Sequence, residues 1–191
     1  KSNSFHLNKA TTIEGQNGIK AYFFPRLIGS DPVEKILNDV RCDLTGSLIR
    51  VIQSRFDDDR DYLAEKLAQL AKAGCDVKVI VRKEPKLNSP GKKVVKFLGE
   101  NLASLTYKDI DGKILVTNSL HSKVLMINAR MSHSTQKSTL VLTGSHNFNL
   151  TSLKTNDESL FKINDLKTFE SYLKYWNQLA QDSCAFNFKA N

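Results

Sequence analysis

The strongest constraint on this chain is a regular alternation of short apolar segments with longer amphipathic ones. SLIRVIQS (residues 47–54) alternates apolar and polar positions as a half-buried strand does. The acidic DDDR (57–60) then opens a helix, with carboxylates as cap and first turn at the positive end of its dipole, and Leu63, Leu67 and Leu70 form its stripe before Gly74 ends it. CDVKVIVR (75–82) is the next strand. Upstream, IKAYFFP (19–25) reads as a buried strand ended by Pro25. Ser30 or Asp31 caps a helix with Pro32 in its first turn and Val33, Ile36, Leu37 and Val40 on its apolar face. Strand, helix, strand, helix, strand at this spacing implies right-handed crossovers. The expected class is α/β, a mixed, largely parallel sheet flanked by helices on both faces.

Beyond Arg82, RKEPKLNSPGKKVVKFLGE (82–100) is a Pro-punctuated loop leading into a short helix. LASLTY (102–107), HSKVLMIN (121–128), STLVLTG (138–144) and ESLFKI (158–163) read as strands. A last helix carries Phe169, Tyr172, Leu173, Trp176 and Leu179 at the spacing of a core stripe. Residues 1–17 are polar and aperiodic and read as a linker or extended arm, which leaves 18–191 as one lobe.

A length of 191 residues suits one domain, and 40% hydrophobic with 25% charged residues is ordinary for a globular fold. Lys and Arg exceed Asp and Glu by 28 to 20, and the net charge of +8 favours an anionic partner. Charge alone does not separate nucleic acid from phospholipid. No apolar run approaches the roughly 20 residues of a membrane span. With neither an initiator Met nor a signal-peptide core at its start, the sequence reads as a processed product or a fragment. Cys42, Cys75 and Cys184 lack zinc-site spacing, so no metal is expected. Cys42 and Cys75 each follow a helix, and can either join as a disulfide or remain buried thiols.

The chemistry concentrates around two strands. His121 and Lys123 are two apart on HSKVLMIN and so project from one face, while Val124 to Ile127 anchor the strand. Downstream, TGSHNFN (143–149) places a Gly-Ser turn after another strand, where Ser145 and Asn147 can offer donors to an anion. The pattern HxK, four residues and an acid, followed by GSxN, resembles the phospholipase D superfamily motif, written here H121-S-K123-V-L-M-I-N128 and G144-S145-H146-N147. The similarity also takes in DPVEKILNDVRC, LAEKLAQLAKAGCDVKVIV and TNDESLFKI, and covers most of residues 19–180. It is nearest to the C-terminal lobe of secreted two-lobed bacterial members, whereas small single-motif relatives are nucleases.

That resemblance implies a metal-independent phosphodiesterase without cofactors. His121 would attack phosphorus to give a phosphohistidine, a His of a second lobe would protonate the leaving alcohol, and water would complete hydrolysis. Lys123 and Asn147, with Ser145 behind them, suit the charge on the equatorial oxygens. Glu158, eleven residues after Asn147, stands where the family places the carboxylate that orients the nucleophilic His. The implied partners are a phospholipid and a second lobe, supplied by an N-terminal half or by an identical subunit, in a secreted or extracytoplasmic setting. The same chemistry on DNA or RNA, and a degenerate lobe that only binds, are the competing readings. Two departures motivate the last: Asn128 replaces the motif's acid, and ARMSHSTQK lengthens the connection to Gly144 as a polar hairpin tip.

The remaining polar residues read more plainly. His146 should point away from its motif neighbours, His133 is a solvated tip residue and His6 belongs to the arm. Lys83, Lys86, Lys92, Lys93 and Lys96 either guide a phosphate-rich substrate or decorate a solvated loop. The sequon at Asn149 abuts the motif turn and reads as coincidence.

Overall fold

Residues 11–16, 18–102, 105–109, 120–181 and 185–188 are described by a computed structural model. Their strands form one sheet in the order β1 (Thr12–Glu14), β2 (Ile19–Phe23), β9 (Ser159–Asn164), β8 (Lys137–Gly144), β7 (Lys123–Met131), β4 (Leu48–Gln53), β5 (Asp76–Lys83), β6 (Leu105–Asp109) and β10 (Ala185–Phe188). A two-residue β3 (Val40–Arg41) lies against β7. The class is mixed α/β as expected, but the parallel part is confined to β4, β5 and β6. The other pairs are antiparallel; between β7 and β8 only Ser132–Gln136 intervene, too few for the long crossover that a parallel pair needs. The sheet also begins inside the segment expected to be an arm, since Thr12–Glu14 pairs with β2. His6 and Cys184 lie outside the described residues.

Helices cover both faces. On one, α1 (Pro32–Asp39), α2 (Asp61–Lys72) and α3 (Lys92–Asn101) pack Leu37, Leu63, Leu67 and Leu98 onto Val51, Val79, Leu125 and Ile127. On the other, α5 (Leu166–Gln181) lays Phe169 and Trp176 over Ile52, Ile80, Val124, Met126 and Val141. Each such side chain contributes about 1.5–3 kcal/mol of transfer free energy. Enclosed between the layers, β4 is buried along its length rather than half-buried. Its Arg50 runs under α5 with the guanidinium 5.2 Å from the Trp176 ring and ion-paired to Asp76, so the stem is buried and the head reaches a partner. Among the described residues no helix is long and apolar enough to cross a membrane.

Asp31 caps α1 by accepting from the Val33 N–H at 2.9 Å. Asp57, Asp58 and Asp59 do not act together as the cap and first turn of α2. A 3-10 turn, Asp58–Arg60, splays them toward three different partners. Asp58 accepts from the N–H groups of Lys93 (2.8 Å) and Val94 (3.2 Å) and so caps α3. Asp59 accepts from Leu150 N–H at 3.0 Å, at the start of α4 (Leu150–Lys154). Asp57 holds Arg55 and Asn149. Asn149 is itself buried and caps α4, which puts the sequon asparagine inside the fold. No group of residues that could hold a metal ion is present among the described residues. Cys42 and Cys75 are joined as a disulfide, S–S 2.08 Å, where the ends of α1 and α2 meet. The extra length between Asn128 and Gly144 is mostly ladder: β7 runs to Met131, β8 starts at Lys137, and only Ser132–Gln136 turn. Arg130 pairs with Asp43, fastening this extension to the loop after β3. His133 is exposed at its tip.

Candidate active site

Strand direction gathers the chemistry at one end of the sheet. The C-terminal ends of β4, β5 and β8 and the N-terminal ends of β7 and β9 meet there: Lys123 pairs with Gln53, Gln53 with Val81, and Gly144 with Leu160. Gly144 is required by close approach, since a Cβ at this position would overlap the Ser159 carbonyl. Two clefts of about 390 and 400 Å³ open on this end, one lined by Ser122, Lys123 and Tyr175, the other by Ser145, Glu158 and Phe24.

His121 stands just before β7 and is exposed, whereas Lys123, the first residue of the strand, is buried. Lys123 Nζ donates to the His121 carbonyl at 2.6 Å and lies 3.1 Å from Nδ1 and 3.2 Å from Nε2 of the ring. An ammonium has no lone pair to accept with, so this approach suits a neutral imidazole offering one of its own. The Lys123 charge is the main cause that holds the His121 pKa below its ordinary value, followed by burial and the Arg82 charge. Lys123 is in turn lowered by its burial, against which the Glu158 carboxylate acts to raise it.

Asn147 is oriented by Ser54, whose hydroxyl donates to Oδ1 at 2.7 Å; the amide nitrogen donates to nothing among the described residues. Ser145 clasps β9, its hydroxyl oxygen accepting from Ser159 N–H at 3.1 Å and its own N–H donating to the Ser159 carbonyl at 3.0 Å. Among the described residues the Ser145 hydroxyl donates to nothing, which leaves its proton for an anion. Glu158 accepts from Ser152 Oγ (3.0 Å) and Asn156 Nδ2 (3.3 Å), and not from His121; its field acts on Lys123. Asn128 lies opposite Leu48 and Thr139, five strand positions from Lys123 and so roughly 17 Å along β7.

Three contributors escaped the sequence reading. Arg82, the last residue but one of β5, ion-pairs with Glu84 and lowers the pKa of both His121 and Lys123. Ser54 ends β4. Arg60, fully buried, donates through Nε to Asp31 (3.0 Å) and through NH1 to His146 Nε2 (2.9 Å) and the Asn147 carbonyl (2.8 Å), while Tyr62 also donates to Asp31 (2.8 Å). Because an arginine can only donate, the proton of neutral His146 sits on Nδ1. Burial, and then the Arg60 charge, push His146 down to about 3, and its ring stacks on Phe24 at 3.9 Å. His146 thus faces inward, away from its motif neighbours, and supports the turn from below.

Residues 43–180 match the family described as cardiolipin synthase, PLD-like domain. Among solved structures, the chain superposes on Nuc from Salmonella typhimurium, described as a phospholipase D family member, with TM-score 0.65 and 19% identity over 90% of this chain and 98% of that one. NucT from Helicobacter pylori gives 0.60 and 16% over 89% and 99%. Phosphatidylserine synthase from Haemophilus influenzae Rd KW20 gives 0.58 and 17% over 93% of this chain but 42% of its own. The chain therefore spans nearly the whole of the first two and about two fifths of the third. At these identities the superpositions speak to fold alone. No curated relative matches the chain.

Proposed function

The chain belongs to the phospholipase D-like family, and on that premise we propose that it supplies one half of a phosphodiesterase active site acting on phospholipid phosphodiesters through a phosphohistidine. The observation that carries this reading is the Lys123 ammonium 3.1 and 3.2 Å from the two ring nitrogens of His121. A neutral ring nitrogen attacks phosphorus, the P–N bond forms as the P–O bond to the leaving alcohol breaks, and a His of the second half protonates that oxygen. Water then attacks the phosphohistidine, loses its proton to the same His, and releases His121. Lys123 and Asn147 Nδ2, which has no acceptor among the described residues, bear on the equatorial oxygens, where prearranged donors stabilise charge most effectively. Once phosphorylated, the imidazole carries positive charge beside Lys123. That repulsion favours turnover of the intermediate, and Glu158 tempers it.

The second half comes from another lobe or from an identical subunit. Coverage of about two fifths of phosphatidylserine synthase supports the first arrangement and near-complete coverage of Nuc and NucT the second. The +8 charge also admits a second reading in which nucleic acid is the substrate. The Cys42–Cys75 disulfide supports an extracytoplasmic setting, since such bonds persist in oxidising compartments. Choline release from phosphatidylcholine and nicking of plasmid, each measured in EDTA with both halves present, separate the substrates. Choline release is expected. Nicking without release transfers the assignment to nucleic acid, and loss of both in EDTA contradicts catalysis by side chains alone.

A further inference from the structure

A second concentration of positive charge lies away from His121, in a groove of about 350 Å³ between the β1–β2–β9 edge of the sheet and α1. Lys20 of β2, Lys162 of β9, Lys35 of α1 and Arg26 of the loop between β2 and α1 line it, against Asp39 as the carboxylate among its described lining residues. Register places Lys20 directly opposite Lys162, and like charges so placed repel. Lys162 is accordingly held below its ordinary pKa, by burial first and by Lys20 second. Glu14 ion-pairs with Lys20, but the side chains of Lys35 and Lys162 have neither a hydrogen bond nor an ion pair among the described residues.

Arg26 is the most telling member. Its guanidinium makes long contacts to neutral oxygens, the Thr11 carbonyl at 3.5 Å and the Thr12 hydroxyl at 3.4 Å, and its Nε is buried without a partner. It is held over the rings of Tyr22 (5.8 Å) and Phe24 (5.9 Å). A guanidinium fixed by aromatic faces, its terminal nitrogens held only by long contacts to neutral oxygens and with two ammonium groups lining the same groove, matches the fork geometry and charge of phosphate oxygens.

We propose that this groove is a phosphate-binding site separate from the His121–Lys123 pair, taking the phosphate group of a small phosphoester or of a lipid headgroup. It requires nothing of the chemistry at His121. The test is calorimetric titration of the full chain with inorganic phosphate and glycerol 3-phosphate, in a Lys123→Met background that disables the other anion site. Saturable binding is expected there, weakened about tenfold or more by Arg26→Gln with Lys162→Gln, as loss of charge-assisted hydrogen bonds predicts. If the double variant fails to fold, Lys35→Glu on the exposed side of α1 is expected to weaken binding in the same direction. Co-flotation with phosphatidylcholine vesicles containing phosphatidic acid, absent without it and lost in the variants, identifies the headgroup as the source; phosphate binding without co-flotation identifies a soluble one. Loss of all binding in the Lys123→Met background, or undiminished binding by folded groove variants, overturns the site.

Discussion

His121 and Lys123 make a pair in which each alters the proton affinity of the other. On the proposed mechanism only the neutral ring attacks, so a His121 pKa held below the ordinary imidazole value keeps the residue competent as the medium acidifies, and activity should fail on the acid side only below the range of an ordinary imidazole. Replacing Lys123 by Met removes the largest cause of the shift, and the His121 pKa should rise. An NMR titration of the His121 ring in both proteins reads this directly, and an unchanged midpoint would mean that the ammonium does not set it. Asn147 depends on Ser54 in a similar way. With the Ser54 hydroxyl on Oδ1, the amide must present its nitrogen to the site. Ser54→Ala should cost roughly tenfold in kcat/KM, short of the 10²–10³ typical of deleting a charge-stabilising donor outright. Ser54→Thr, which keeps the hydroxyl, should recover most of it at equal melting temperature.

Between elements, the site rests on connections that cross the loops. Asp58 caps α3 and Asp59 meets α4, so the turn before α2 ties together the loops that surround Asn147. Asp58→Ala should destabilise by about 1–2 kcal/mol, measured by urea unfolding, as loss of a helix cap does. Beneath the motif turn, His146 is neutral when folded and takes up a proton more readily when unfolded. With a folded value of about 3 against 6.5, the unfolded state binds more protons throughout that window, so stability falls as pH drops from 6.5 toward 3. A folded His146→Gln variant should show a flatter pH dependence of urea stability across the same window; a slope equal to the parent's would remove His146 from the acid response. These connections were not legible in the sequence. DDDR looked like one helix cap because local pattern cannot reveal that its carboxylates serve backbone 35 and 91 residues away.

At the scale of the whole molecule, what the sequence carried was what is local or periodic. The leucine stripe of α2, the aromatic stripe of α5, Asp31 before Pro32, and the HxK and GSxN spacings all recur where the periods place them. The parallel share of the sheet, the burial of β4, strand β10 and the contributions of Arg82, Ser54 and Arg60 depend on which strands become neighbours, and no short window encodes that. Arg82 is the clearest case: on CDVKVIVR it is a polar strand end, and only the β4–β5 and β4–β7 pairings bring its charge to bear on His121. On the proposed function this end of the sheet is half a site, with one His–Lys pair among the described residues. The most direct test is to quench the two-half assembly, turning over substrate labelled in its phosphate, and to map the label by peptide mass. The expected result is a phosphate on His121, absent in His121→Ala with activity reduced at least about 10³-fold. Full turnover by His121→Ala, or label trapped on another residue while His121 stays unmodified, would contradict it.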